Sequence, residues 1–291
     1  MLRLHTIPLA LICTMLLAGC AAAPSALPQA NPSSTPSSIP TLTPLPTLTP
    51  TPTTPPIPSP TPTERPLTLA FYGDSLLKVG DASRADSVGF SIVDVLRSQV
   101  NSADQIIVSN HGGRNAEWGY QNLQMYILND KPDVVTLWWG LNDLDGCPGI
   151  FDRATKQIIQ YKLAALLNQH LTYMTMQINA LLAAGIPVIV ITPIPVLGTL
   201  PWSHFGPDNS LVWENDTRCD FNLGLEQLVA AQRTLVAGFK AVQKPVYLVD
   251  AWQVYQDHPN TADMYMDIVH PGAQGAQLIA QQWLEVFNTM R

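Results

Sequence analysis

A few residues carry the types and spacing for chemistry. Ser75 sits in Gly73-Asp74-Ser75-Leu76, and His270 sits near the far end of the chain, three residues after Asp267. A serine hydroxyl is a weak nucleophile at neutral pH and attacks a carbonyl only when a neighbouring base takes its proton. An imidazole suits that task because its ordinary pKa lies near working pH. A carboxylate on the other ring nitrogen fixes the tautomer and stabilises the imidazolium. Asp267 is the candidate for that place. Asp250 is a second acid that could take it, although an Asp at such a position more often caps a helix.

These residues are far apart in sequence, so the elements between them must bring them together. Apolar runs at 67–72, 105–109, 133–139, 187–192 and 246–249 read as strands. Helical spacing of apolar residues marks 88–100, 158–184, 223–242 and 272–288, with Gly185 closing the second of these helices. The run Pro-Val-Ile-Val-Ile-Thr at 187–192 is apolar throughout its centre, as expected of a strand buried on both faces. Strand–helix alternation predicts a parallel sheet covered by helices on both sides. In such a sheet, sites form beyond the carboxyl ends of the strands. Gly73-Asp74-Ser75-Leu76 follows the first strand, Asn110-His111-Gly112-Gly113 the second, and Gly140-Leu141-Asn142-Asp143 the third. Asp267-Ile268-Val269-His270 follows the fifth strand and precedes the last helix. All four segments therefore fall on one edge.

These blocks, in this order, resemble those of the GDSL, or SGNH, hydrolase family: the Gly-Asp-Ser-Leu nucleophile block, the G-x-N-D block at 140–143 and the D-x-x-H block at 267–270. One such tripeptide is a common turn, but three ordered blocks after strands are specific. The resemblance spans residues 67–291. It implies a flavodoxin-like three-layer α/β/α sandwich with a five-stranded parallel sheet, and ester hydrolysis through an acyl-enzyme. Ser75 would be the nucleophile, His270 the base and Asp267 its orienting acid. The Ser75 N–H and the Asn142 amide would face the oxyanion. The family's oxyanion glycine falls, by count from Asn110, on Asn115; a shortened loop would put Gly113, or else Gly112, in that role. Asp143 and Asp74 read as structural partners of these blocks. No metal or organic cofactor is implied, and His111, His170, His204 and His258 lack metal-ligand spacing with cysteine or carboxylate.

The remaining sequence speaks of placement. No Asp, Glu, Lys or Arg occurs between Arg3 and Glu64. Residues 4–17 are apolar, too short to span a bilayer comfortably, and follow one basic residue, as in a secretory leader. Leu17-Ala18-Gly19-Cys20 resembles the lipobox of bacterial lipoproteins, which implies cleavage before Cys20 and lipid on its sulfur. Residues 1–19 are thus expected to be a signal peptide. Residues 20–66, rich in Pro, Thr and Ser, are expected to be a spacer, reaching about 140 Å in the extended limit at roughly 3.1 Å per residue. An exported chain, lipid-anchored outside a bacterial membrane, leaves Cys147 and Cys219 where a disulfide persists, and their loops fall on one sheet edge. The residues at 193–220 read as a long loop bearing Trp202, His204, Phe205 and Trp213. Of Trp138 and Trp139, one is expected in the core and the other toward the site. A net charge of −7 with only 15 scattered Lys and Arg excludes a polyanion-binding surface, so no nucleic acid is expected as partner. The expected partners are the membrane and a small-molecule or glycan ester, met by a monomer. The substrate alternatives are a carbohydrate O-acetyl ester or other short acyl ester, and a lipid ester. The rival from another class is a surface glycan-binding module that keeps the fold without turnover.

Overall fold

Side chains alternate across the first strand, and the structure uses that alternation to build two cores. In the computed structural model, residues 65–77, 91–205, 211–258 and 261–291 are described. The expected leader, Cys20 and nearly all of the spacer lie outside these residues. Strand β1 (Thr68–Gly73) turns Leu69 and Phe71 to one face and Ala70 and Tyr72 to the other. It is flanked by β2 (Gln105–Asn110) and β3 (Val134–Trp138), and the sheet continues through β4 (Val188–Ile191). The remaining strands are β5 (Leu200–Phe205), β6 (Leu211–Cys219) and β7 (Val246–Val249). The sheet order is β2-β1-β3-β4-β7, with every pairing parallel. This is the doubly wound flavodoxin-like order, with its switch point between β1 and β3.

Helices cover both faces. On the Leu69 side lie α1 (Ile92–Arg97), α6 (Ala251–Gln256) and α7 (Ala273–Asn288), burying Ile92, Tyr255, Ile279 and Trp283. On the Ala70 side lie α2 (Ala116–Tyr126), α4 (Gln160–Ala183) and α5 (Asn222–Ala241), burying Leu123, Met174, Ile178 and Val236. Residues 174, 178 and 181 of α4 share one helical stripe, which is why this length of chain forms a helix packed on a sheet. Gly185, at φ +78°, ends it in a left-handed turn that few other residues adopt.

The five sheet strands and the three long helices α4, α5 and α7 fall where the sequence places them. Helix α1 is shorter than the expected 88–100: Ser91, in extended conformation, starts it by accepting the Val93 N–H at 3.1 Å, and it ends at Arg97. Helices α2 and α6 add to the expected elements. Asn115 starts α2 by accepting the Trp118 N–H at 3.0 Å, and Asp250 starts α6 by accepting the Gln253 N–H at 3.2 Å.

Two further expectations are corrected. Residues 193–220 are not one loop: β5 and β6 pair antiparallel within it. Neither the run at 200–205 nor that at 211–219 carries a sustained apolar–polar alternation: Pro201 interrupts the first and residues 214–218 are all polar, so periodicity does not announce these strands. The second correction concerns the tryptophans. Both Trp138 and Trp139 are fully buried, on opposite faces of the sheet, and neither faces the site. Each indole N–H finds an internal acceptor, Thr192 O at 3.0 Å for Trp138 and Gln177 Oε1 at 3.1 Å for Trp139, so nothing draws either ring outward.

A third core lies past the carboxyl edge of the sheet. There α3 (Gly146–Ile150), the base of the β5–β6 hairpin and the start of α5 enclose Ile150, Phe151, Trp202 and Phe221. Cys147 of α3 and Cys219 of β6 are joined in a disulfide, S–S 2.08 Å with Cα atoms 6.0 Å apart, which ties the hairpin to α3 beyond the carboxyl edge of the sheet.

Candidate active site

The nucleophile block is shaped by close approach. A Cβ on Gly73 would lie 2.4 Å from Trp138 O, so only glycine lets β1 end this tightly against β3. Asp74 follows, fully buried, and its N–H donates to Trp138 O at 3.2 Å. Its Oδ1 accepts the Leu76 N–H at 2.9 Å, closing a one-turn 3-10 helix, Ser75–Leu77, that begins at the half-buried Ser75. Burial pushes the Asp74 carboxyl up to about 8, opposed by the Leu76 N–H and helped by the charge of Asp143. Neither the Ser75 N–H nor its Oγ has a hydrogen-bond partner among the described residues.

The D-x-x-H block folds on itself. Asp267 Oδ1 accepts the N–H groups of Val269 and His270, each at 2.8 Å, and its Oδ2 lies 2.8 Å from His270 Nδ1. These donors hold the carboxyl at about 2 against the upward push of its partial burial, so it is ionised throughout the range in which an imidazole titrates. Three contacts fix the turn itself. Gly272 N–H donates to Met264 O at 2.6 Å, Leu197 N–H to Ile268 O at 2.8 Å, and the Tyr265 hydroxyl to Pro195 O at 2.5 Å. His270 Nε2 is buried and has no hydrogen-bond partner among the described residues. The structure thus joins Asp267 to His270 but forms no hydrogen bond from His270 to Ser75. Such contacts in free enzymes are often long and tighten when substrate binds.

On the oxyanion side, Asn142 directs its amide to Asp74 Oδ2 at 3.1 Å and to Arg114 O at 3.2 Å. Both amide hydrogens therefore have acceptors within the protein. Of the two glycines, Gly112 abuts the nucleophile: a Cβ placed on it would lie 3.8 Å from Ser75 Cβ. Gly113, at φ +72°, opens onto free space within 4 Å. Asn115 spends its side chain on the cap of α2. Gly113, Arg114, Asn115, Glu117, Trp118 and Gln121 line a cleft of about 310 Å³ beside this loop. A larger hollow of about 650 Å³, with Arg65, Lys131 and Pro187 in its lining, lies at the opposite edge of the sheet and brings together no nucleophile and base.

The other candidates have other employment. Asp250 caps α6 and binds Arg233 through two hydrogen bonds, at 2.7 and 3.0 Å. His111 contacts Ser109 Oγ at 2.7 Å and packs between Trp118 and Tyr126, where burial lowers its pKa. His258 Nδ1 contacts Val254 O at 2.7 Å. Among the described residues, no group of three or more His, Cys, Asp or Glu is gathered as a metal ion would need. His170 and Asp143 prove to be deeply buried partners, side chains 0% and 5% exposed, which the sequence reading had treated separately.

Comparisons with known proteins agree with this architecture. No curated protein matches the sequence. Among solved structures, a GDSL-like lipase from Bacteroides thetaiotaomicron superposes with TM-score 0.51 at 13% identity, covering 77% of this chain and 89% of that one. A variant of an acetyl-xylooligosaccharide esterase from Geobacillus gives TM-score 0.51 at 18% identity, covering 75% and 93%. An acetyl xylan esterase gives 0.50 at 18%, covering 75% and 98%. At these identities the likeness is one of fold. Residues 71–278, most of the chain, match the GDSL-like lipase/acylhydrolase family in sequence, with the nucleophile block at one end of that span and the D-x-x-H block near the other. The chain belongs to the GDSL-like lipase/acylhydrolase family and is a carboxylic ester hydrolase of that type.

Proposed function

We propose that this hydrolase works through an acyl-enzyme on short acyl esters of carbohydrate, outside the cell. Ser75 attacks the ester carbonyl, His270 Nε2 takes the serine proton and returns it to the leaving alcohol, and Asp267 holds the ring. The observation that carries this reading is the Asp267–His270 contact of 2.8 Å, which leaves the opposite ring nitrogen buried and unpartnered. With the carboxylate on Nδ1, the imidazole presents Nε2 as a base. The Ser75 N–H, a second-block glycine N–H (Gly113 or Gly112) and the Asn142 amide hold the oxyanion; Asn142 turns one hydrogen from Arg114 O to the substrate.

Carbohydrate is favoured by the cleft beside Gly113. Its lining is mostly polar, with Arg114, Asn115, Glu117 and Gln121 beside Trp118, as suits a hydroxylated ring better than a long acyl chain. Two of the solved structures with this fold are acetyl-xylan or acetyl-xylooligosaccharide esterases, a substrate class in keeping with that lining. A panel of acetylated sugars, short acyl esters and long-chain lipid esters tests the reading. Turnover of acetyl esters is expected, with loss of about 10⁴-fold or more in Ser75→Ala. Preference for long acyl chains would favour a lipase or lysophospholipase-like enzyme. A Ser75 that stays unlabelled by an organophosphonate would leave only a binding module.

Export and anchoring rest on the sequence of residues 1–20. A clickable fatty-acid analogue should label the full chain expressed in bacteria and fail to label Cys20→Ala. Equal labelling of both would remove the anchor.

A further inference from the structure

A second Asp–His pair lies behind the site. His170 Nδ1 of α4 stands 2.8 Å from Asp143 Oδ1, both side chains buried, though off the line of a good hydrogen bond. The tautomer of the ring can be read from its neighbours. Gln232 Nε2 of α5 donates to Trp139 O at 3.0 Å, which fixes the orientation of that amide. The same nitrogen lies 2.9 Å from His170 Nε2. An amide nitrogen only donates, so His170 Nε2 accepts and the ring proton sits on Nδ1, facing Asp143.

Asp143 passes this contact on to the oxyanion loop. Its Oδ1 also accepts the Ala116 N–H, at the first residue of α2, at 3.0 Å. One residue earlier in the chain, Asn142 holds Arg114 O and Asp74 Oδ2. From two turns further along α4, Gln177 donates to Ala116 O at 3.0 Å while accepting from Trp139 Nε1. The Ala116 peptide groups are thus gripped at both N–H and C=O, and the Gly112–Asn115 loop enters α2 at this fixed point. Asp143 Oδ2 and Gln232 Oε1 lack partners among the described residues, so the hold on this geometry comes from the buried hydrogen bonds to Ala116, Trp139 O and His170 Nε2 that the cluster does make.

We infer that His170 is a positioning residue for the oxyanion side of the site: through Asp143 it fixes the start of α2, and with it the loop that faces Ser75 and the Asn142 amide. The inference rests on the esterase reading, because its catalytic consequence needs an oxyanion there. Misplacing a donor by about an ångström can cost on the order of 10²-fold in rate.

The test compares full-length wild type, His170→Leu and His170→Asn. The asparagine amide can offer an N–H toward Asp143, whereas leucine cannot. His170→Leu should lose about 10- to 100-fold in kcat on the best acetyl ester with KM changed less than about threefold. Amide exchange should rise in the peptide spanning residues 111–118 and stay slow in β1 and β3. His170→Asn should recover most of the kcat and the protection. A folded His170→Leu with unchanged kcat and exchange overturns the proposal, and so does a loss that appears in KM alone. If His170→Leu does not fold, His170→Asn decides: loss of both kcat and 111–118 protection in that variant, equal to loss throughout the sheet, shows a structural role only and overturns it. Should wild type hydrolyse no ester, the esterase reading fails, while the exchange comparison still judges His170.

Discussion

At the scale of residues, two buried or half-buried acids beside the site behave in opposite ways. Asp267 gains three donors and stays ionised, whereas Asp74 loses water and is pushed up to about 8. Between the ordinary carboxyl pKa and about 8, the unfolded chain has released the Asp74 proton and the folded chain keeps it. The folded state then binds more protons, so this group's contribution falls as pH rises through that window and levels off above it. Asp74→Asn keeps the shape and cannot titrate. The stability difference between wild type and Asp74→Asn, from denaturant unfolding at pH 4 to 9, should therefore move steadily against wild type up to about pH 8. A flat difference would mean that Asp74 is solvated or otherwise compensated. Asp267 contributes in the other sense, stabilising above its ordinary pKa and losing that effect only as pH falls toward about 2.

At the scale of elements, the β5–β6 hairpin is held to the rest of the domain by the third core, by the disulfide and by the Arg153–Glu214 ion pair. The disulfide bridges a sequence separation of 72 residues, and closing a loop of that size stabilises by about 4 kcal/mol on the chain-entropy view. Cys147→Ala/Cys219→Ala should lower the unfolding free energy by about 2 to 5 kcal/mol. Hydrogen exchange should show the loss first in the hairpin and α3, whose shared core the bond secures, and last in β1 and β3. A uniform loss across all elements would show that the hairpin does not open ahead of the sheet. The two unforeseen helices follow a common pattern. Each is started by an acidic or amide side chain: Asp250 caps α6, as an Asp after a strand more often does, while the count from Asn110 sets Asn115 against the oxyanion position and not against a cap.

At the scale of the whole molecule, parallel strands put every candidate group on one edge. The end of β1 delivers Ser75, the end of β3 delivers Asn142, and the turn before α7 delivers His270, while the loop after β2 brings Gly112 beside the serine. Arg65 and Leu67 enter at the other edge, where Arg65 meets Asp133 and Leu67 N–H meets Asp104.

The sequence alone determined the strand–helix alternation, the parallel sheet and the blocks that mark Ser75, Asn142, Asp267 and His270, because periodicity and motif order are local properties of the chain. Asp267 and His270 are three residues apart, so their contact was also legible. What only tertiary structure decided are the long-range choices. Trp139 and Gln177, His170 and Gln232, and Asp74 and Asn142 are paired by the packing of α4 and α5 on the sheet and by the pairing of β1 with β3, and no local spacing announces such partners. The same holds for the antiparallel hairpin and for the glycine that lies against Ser75, since a hydrogen-bond partner or a close approach is set by where two distant backbones cross.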